Sequence, residues 1–148
     1  VTAALKLVPA ALPESDVPRW RSRLVGLYSD ADERAERDVL GWMLCGGQVP
    51  PFVLRADHFA SRFNRQLFVA CSAARATDGT VHPVRVAACL RAYRHTGPSV
   101  AAEMAQLMRE SLEFTEPPSF QSFSERAERR LRVERLEREA EELRRSLR

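Results

Sequence analysis

Histidines, cysteines and carboxylates are the side chains here whose types could carry chemistry, and their spacing argues against each in turn. His58, His82 and His95 lie far outside the roughly three- to five-residue intervals that bring two imidazoles to one metal on a helix, and no HExxH or Cys/His cluster exists. Cys71 with a remote histidine would be a nucleophile and its base. Yet Cys71 shares an apolar stripe with Leu67 and Ala74, where a thiol stays protonated and inert. Asp30/Asp32 and Glu141/Glu142 read as helix-start and tail charges, not as a dyad whose closeness drives two pKa values apart. A GxSxG elbow is absent, and so is a GxxxxGK[ST] loop: Gly46-Gly47 runs into Gln-Val-Pro-Pro, and no lysine follows Lys6. Without a backbone cradle and a lysine for the phosphates there is no nucleotide engine. Trp20, Trp42 and the seven phenylalanines fall at core spacing, not interleaved with a basic surface for base stacking. The expectation is a chain with no catalytic residue, no cofactor and no metal.

The elements that position these side chains belong to a chain of 148 residues, one domain's worth. It is 45% hydrophobic and 29% charged, which excludes collagen-like and wholly disordered chains. No run approaches the roughly 18–20 apolar residues of a membrane span. Lys6 with the apolar residues after it faintly resembles a signal peptide, but Pro9 and Pro13 break it. The three cysteines, Cys45, Cys71 and Cys89, fit buried thiols in a reducing compartment, so the expected location is cytoplasmic. Net charge is +3, and every basic residue except Lys6 is arginine, as GC-rich coding would produce. In 124–148 arginines and glutamates are so well mixed that they make a solvated helix face, not a phosphate-neutralising stripe.

The chain reads as all-α. Residues 1–16 form an Ala/Pro-rich leader, and 17–28 a short helix with Trp20, Leu24 and Leu27 on one side. Asp30 or Asp32 caps a helix lined by Ala35, Val39, Leu40, Met43 and Leu44 and ended by Gly46-Gly47. Gln48 to Asp57 reads as a short helix opened by proline. Ser61 caps the helix carrying Phe63, Leu67, Ala70, Cys71 and Ala74, and Asp78-Gly79 turns the chain. Pro83 opens a helix with Val86, Ala87, Leu90 and Tyr93 inward, ended by Gly97. Ser99 opens another, with Val100, Met104, Leu107 and Met108 inward, running to about Phe114. After Pro117-Pro118 a last helix starts near Ser119 and continues to the C-terminus.

That last helix has two regimes. Phe114 just before it, then Phe120, Phe123, Ala127 and Leu131, fit an interior packed on a core. Val133, Leu136, Ala140, Leu143 and Leu147 then follow the alternating three- and four-residue spacing of a coiled-coil seam. Glu125/Arg129, Glu128/Arg132, Glu134/Arg138 and Glu141/Arg145 are i,i+4 pairs with glutamate first, each worth about 0.2–0.5 kcal/mol.

From Ala35 onward, the order of motifs resembles the N-terminal domain of DnaB-type replicative helicases. Ala35-Glu36-Arg37-Asp38-Val39-Leu40-Gly41 is similar to that family's AExxVLG opening helix. Leu54 to Phe59 resembles its L-x-x-x-D/E-F segment with one extra residue, and Phe59 to Ala70 (FASRFNRQLFVA) its F-x-x-x-x-H-x-x-I/L-F-x-A stretch. Gly79 to Val84 resembles the turn before the next helix, and Arg109 to Leu136 the hairpin that follows the globular head. The family's histidine is replaced by Asn64 and its turn aspartate by His82, a poorer helix cap; the RecA-like ATPase domain is absent from the sequence.

The resemblance implies a small orthogonal helical bundle followed by a C-terminal helical hairpin with a long charged last helix. Its parts would be a leader at 1–16, a helical head at 17–98 and a hairpin at 99–148. It implies a non-catalytic interaction and oligomerisation module that pairs with itself and binds a helicase, a primase or a related replication protein. The residues expected to make these contacts are Phe114, Phe120, Phe123, Ala127 and Leu131 inside the hairpin, and Val133, Leu136, Leu143 and Leu147 on the exposed seam. The alternative is a small basic DNA-binding protein that uses the arginines of the last helix. No membrane contact and no small-molecule substrate are expected.

Overall fold

Ser29 opens the first described helix, because its hydroxyl accepts the Asp32 N–H at 3.3 Å while the Asp32 carboxylate accepts the Ser29 N–H at 2.9 Å. This reciprocal capping box satisfies two amides that helix geometry leaves without partners. The cap is therefore Ser29, not Asp30 or Asp32 as the sequence led us to expect; Asp32 sits three residues inside. The computed structural model describes residues 28–95 and 97–148. The expected leader, and all but the last residue of the expected helix at 17–28, lie outside the described residues.

Five α-helices and one 3-10 turn make up the described fold, with no strand among the described residues: α1 Asp30–Leu44, the 3-10 turn Ala56–His58, α2 Arg62–Asp78, α3 Pro83–Arg91, α4 Pro98–Ser111 and α5 Phe120–Ser146. None is long and apolar enough to cross a membrane. The all-α class and most helix faces follow the sequence pattern. Val39, Leu40, Met43 and Leu44 of α1 are buried, as are Phe63, Leu67, Ala70, Cys71 and Ala74 of α2. Ser61 caps α2 through the Asn64 N–H, and Gly79, at φ 74°, closes it in the left-handed region that glycine enters without strain.

Two segments differ from expectation. Gln48 to Asp57 is not a helix: a turn at 51–53 leads to the 3-10 turn. Consecutive Pro50 and Pro51 account for this, since a residue before proline is pushed out of the helical region. Phe52 then sits at φ 65° and is fully exposed. The helix opened by Pro83 ends at Arg91, well before Gly97. Arg94 takes a left-handed φ of 63°, and the Arg94 and His95 amides return to the Arg91 and Leu90 carbonyls. That double return is the glycine-type helix stop, here built on arginine. It leaves Tyr93 exposed instead of inward. Likewise α4 stops at Ser111, short of Phe114.

α1 is the hub. α4 lies along it so closely that a Cβ on Gly41 would come within 2.4 Å of the Leu107 carbonyl oxygen. α2 packs on α3 and on α1, and α5 on α1 and the 3-10 turn. α4 and α5 each pack more on α1 than on one another, so 99–148 is not a self-contained hairpin. The reason is that one core crosses the expected head–hairpin boundary. Val100, Met104 and Leu107 of α4 and Phe120 and Phe123 of α5 are buried in the same cluster as Leu40, Phe59 and Phe63.

Candidate interaction surface

α5 presents two faces. Phe120, Phe123, Ala127, Arg130 and Glu134 are buried and turn toward the head. Phe123 meets Phe59 at 5.2 Å between ring centroids and sets its ring perpendicular to the His58 imidazole. Leu131 is half-buried. Beside it a cavity of about 350 Å³ is bordered by Asp57, Arg65, Arg130, Glu134 and Arg138. Phe114 is half-buried in the connection between α4 and α5. Of the expected interior, then, Phe120, Phe123 and Ala127 are buried, but the first two seal α5 onto the shared core.

Charged side chains that are not among the expected contact residues complete the clamp. Arg130, only 7% exposed, donates to the His58 carbonyl oxygen at 2.9 Å and lies over the Tyr28 ring. Arg126 reaches the Asp32 carboxylate at 2.5 Å, so the capping box of α1 also holds α5. Glu128 accepts from His58 Nε2 at 2.8 Å and pairs with Arg55 at 2.7 Å. The His58 bond, opposed by partial burial and helped by Arg55, holds the Glu128 carboxyl below its usual range. His58 Nδ1 accepts the Arg55 amide, which assigns the proton to Nε2. The signal was present in the sequence: Arg130 falls on the same helical stripe as Phe123 and Ala127, which solvation alone does not explain.

The head contains two further buried charge clusters. Glu36, fully buried, accepts the Ala60 N–H at 3.1 Å, the Asn64 side-chain amide at 3.0 Å and the Tyr28 hydroxyl at 2.5 Å. Burial pushes its carboxyl up, against those donors. Asn64 thus supplies one of the donors. Arg37 is 3% exposed and bridges Glu103 at 2.5 Å and Glu110 at 2.8 Å, tying α1 to α4. The Arg37 bonds hold the Glu110 carboxyl below its usual range. In both clusters each carboxylate accepts from a donor on another element.

The remaining chemistry-bearing side chains are dispersed. His95 bonds Gln66 and sets its edge on Phe63, and exposed His82 precedes Pro83 without a capping bond from its side chain. Burial pushes the Cys71 thiol up to about 12. Cys89 is half-buried, but Cys45 is exposed, contrary to the expectation of buried thiols, because it is the residue at which α1 ends. Among the described residues no three His, Cys, Asp or Glu side chains gather as a metal site would require.

Beyond Glu134 the leucines of α5 lose the cover of the described head residues, although Arg138 still borders the cavity with Asp57 and Arg65. Val133 is half-buried, whereas Leu136, Leu143 and Leu147 are 59%, 60% and 79% exposed. At about 100° per residue, the row Val133, Leu136, Ala140, Leu143, Leu147 lies roughly 140° around the helix from the head-facing stripe. An apolar ridge therefore projects on the side that the described residues of the head do not cover. Comparison of the chain with protein-family models, with curated proteins and with solved structures finds no match.

Proposed function

We propose that this chain is a non-catalytic interaction and oligomerisation module of the replicative-helicase N-domain type. It acts by covering the apolar ridge of α5 with another polypeptide: a second copy, or a helicase, a primase or a related replication protein. The observation that carries the reading is the row Leu136, Leu143 and Leu147, each more than half exposed on the side of α5 turned from the head. Covering a leucine is worth about 1.5–3 kcal/mol, so three of them on one ridge favour association over solvation. The glutamates and arginines around them would set rate and specificity more than affinity. The order of family-like motifs from Ala35 to Leu136 supports the helicase-type assignment.

The test pairs light scattering of the full chain with capture of purified replicative helicase and primase. Concentration-dependent mass and retention of either protein are expected, both lost in Leu136→Glu/Leu143→Glu. A chain that stays monomeric and retains neither overturns the reading. DNA binding competes with it but has fewer arginines at its disposal, since Arg126 is paired with Asp32 and Arg130 is bonded to the His58 carbonyl. It requires duplex affinity that falls steeply with salt as counterions are released.

A further inference from the structure

We infer that the ridge is one strand of a parallel, in-register, two-stranded coiled coil formed with a second copy of this chain. The inference rests on the reading above and names its partner and geometry. With Val133, Ala140 and Leu147 at the a positions, Leu136 and Leu143 fall at d, a β-branched residue at the first a and leucine at both d positions, which suits two strands. The flanking g positions are then Arg132 and Glu139, and the flanking e positions Glu137 and Arg144.

In a parallel pair each g residue faces the e residue five positions later on the other strand. Arg132 meets the partner's Glu137, and Glu139 meets the partner's Arg144. Both contacts join opposite charges, and two-fold symmetry doubles them. Antiparallel pairing brings g to g and e to e. The antiparallel register that joins opposite charges, Arg132 to the partner's Glu139 and Glu137 to the partner's Arg144, leaves Leu147 outside the overlap. Sliding the strands by one heptad brings Leu147 inside, but sets Glu139 against the partner's Glu139 and Arg144 against the partner's Arg144. Only the parallel arrangement covers all five ridge residues and pairs all four charges.

The fold leaves room for this arrangement. The head-facing stripe points roughly 140° from the ridge, so the two heads lie on the outer sides of the pair. Arg144, which in the single chain pairs with Glu141 at 3.0 Å, exchanges that local contact for the partner's Glu139.

Sedimentation equilibrium on the full chain, from about 10 µM to 1 mM, tests this, since two heptads make a weak interface. Glu139→Arg should raise the dimer dissociation constant about tenfold, because two attractive contacts become repulsive. Adding Arg144→Glu should restore it to within about threefold of the original, since each pair again joins opposite charges. In the antiparallel register the same double variant creates repulsion on both flanks. A double variant weaker than the single one therefore overturns the parallel geometry and leaves self-association through the ridge standing. Dimerisation indifferent to both variants places the contact elsewhere and overturns the inference. A chain that is monomeric throughout the range overturns both it and the self-association part of the proposed function. Both substituted residues are exposed, and helical circular dichroism checks that α5 is retained.

Discussion

The first half of α5 and its second half are built from the same vocabulary of arginine, glutamate and spaced apolar residues, yet they behave oppositely. Between Phe120 and Glu134 two arginines and a glutamate reach the head, through Asp32, the His58 carbonyl and the His58 imidazole, and Phe120, Phe123 and Ala127 are sealed. Between Arg135 and Arg148 the leucines are bare and Arg144 pairs only within its own helix. A charged group is buried where another element supplies its partner, and an apolar one is covered only where a surface is within reach. Helical periodicity is shared by both halves; the presence of a neighbour is not.

The variant expected to disturb this contrast most is Arg37→Ala in the head. It leaves Glu103, 1% exposed, without the guanidinium that neutralises it, and should cost about 3–5 kcal/mol in urea unfolding. A loss below about 1 kcal/mol would mean that the cluster is not closed to water. Gly41→Ala comes next. Its methyl group would press on the Leu107 carbonyl and force α1 and α4 apart, at about 1–3 kcal/mol, where an ordinary helix site would gain stability from alanine.

A smaller effect is expected in acid. Arg37 holds the Glu110 carboxyl down, so its stabilising contribution is complete above the ordinary carboxylate pKa of about 4.3 and is lost as the pH falls through the depressed value. Glu110→Gln should flatten the acid limb of the stability–pH curve; an unchanged limb would assign acid sensitivity to other carboxyls. The smallest effect belongs to the distal half. Leu136→Glu/Leu143→Glu should shift the unfolding free energy of the head by no more than about 0.5 kcal/mol while removing association. If the pair instead unfolds the protein, the ridge belongs to the core and the contrast between the halves fails.

Much of the fold was legible in the sequence wherever a local signal decides the outcome. The stripes of α1 and α2, the Ser61 cap, the Pro83 start and a last helix starting near Ser119 all appear where spacing and local chemistry put them. The misses fall where two local signals compete. Pro51 suits a helix start but denies Pro50 a helical conformation, and Arg94 adopts a left-handed turn that sequence preference assigns to glycine. The candidate surface was half legible. The exposure of Leu136, Leu143 and Leu147 follows their heptad spacing, whereas the clamp through Arg126, Glu128 and Arg130 is carried by partners some seventy to ninety residues away.

By itself the sequence determined the faces of α1 and α2 and where α2, α3 and α5 begin, because these depend on capping, backbone propensity and a period of about 3.6 residues. Tertiary structure alone decided which apolar faces meet. It placed Phe120 and Phe123 in the core of α1 and α2, withheld that cover from the leucines beyond Glu134, and matched Glu36 and Arg37 to groups far along the chain. The physical reason is that burial is a property of two surfaces brought together, and a residue carries only one of them.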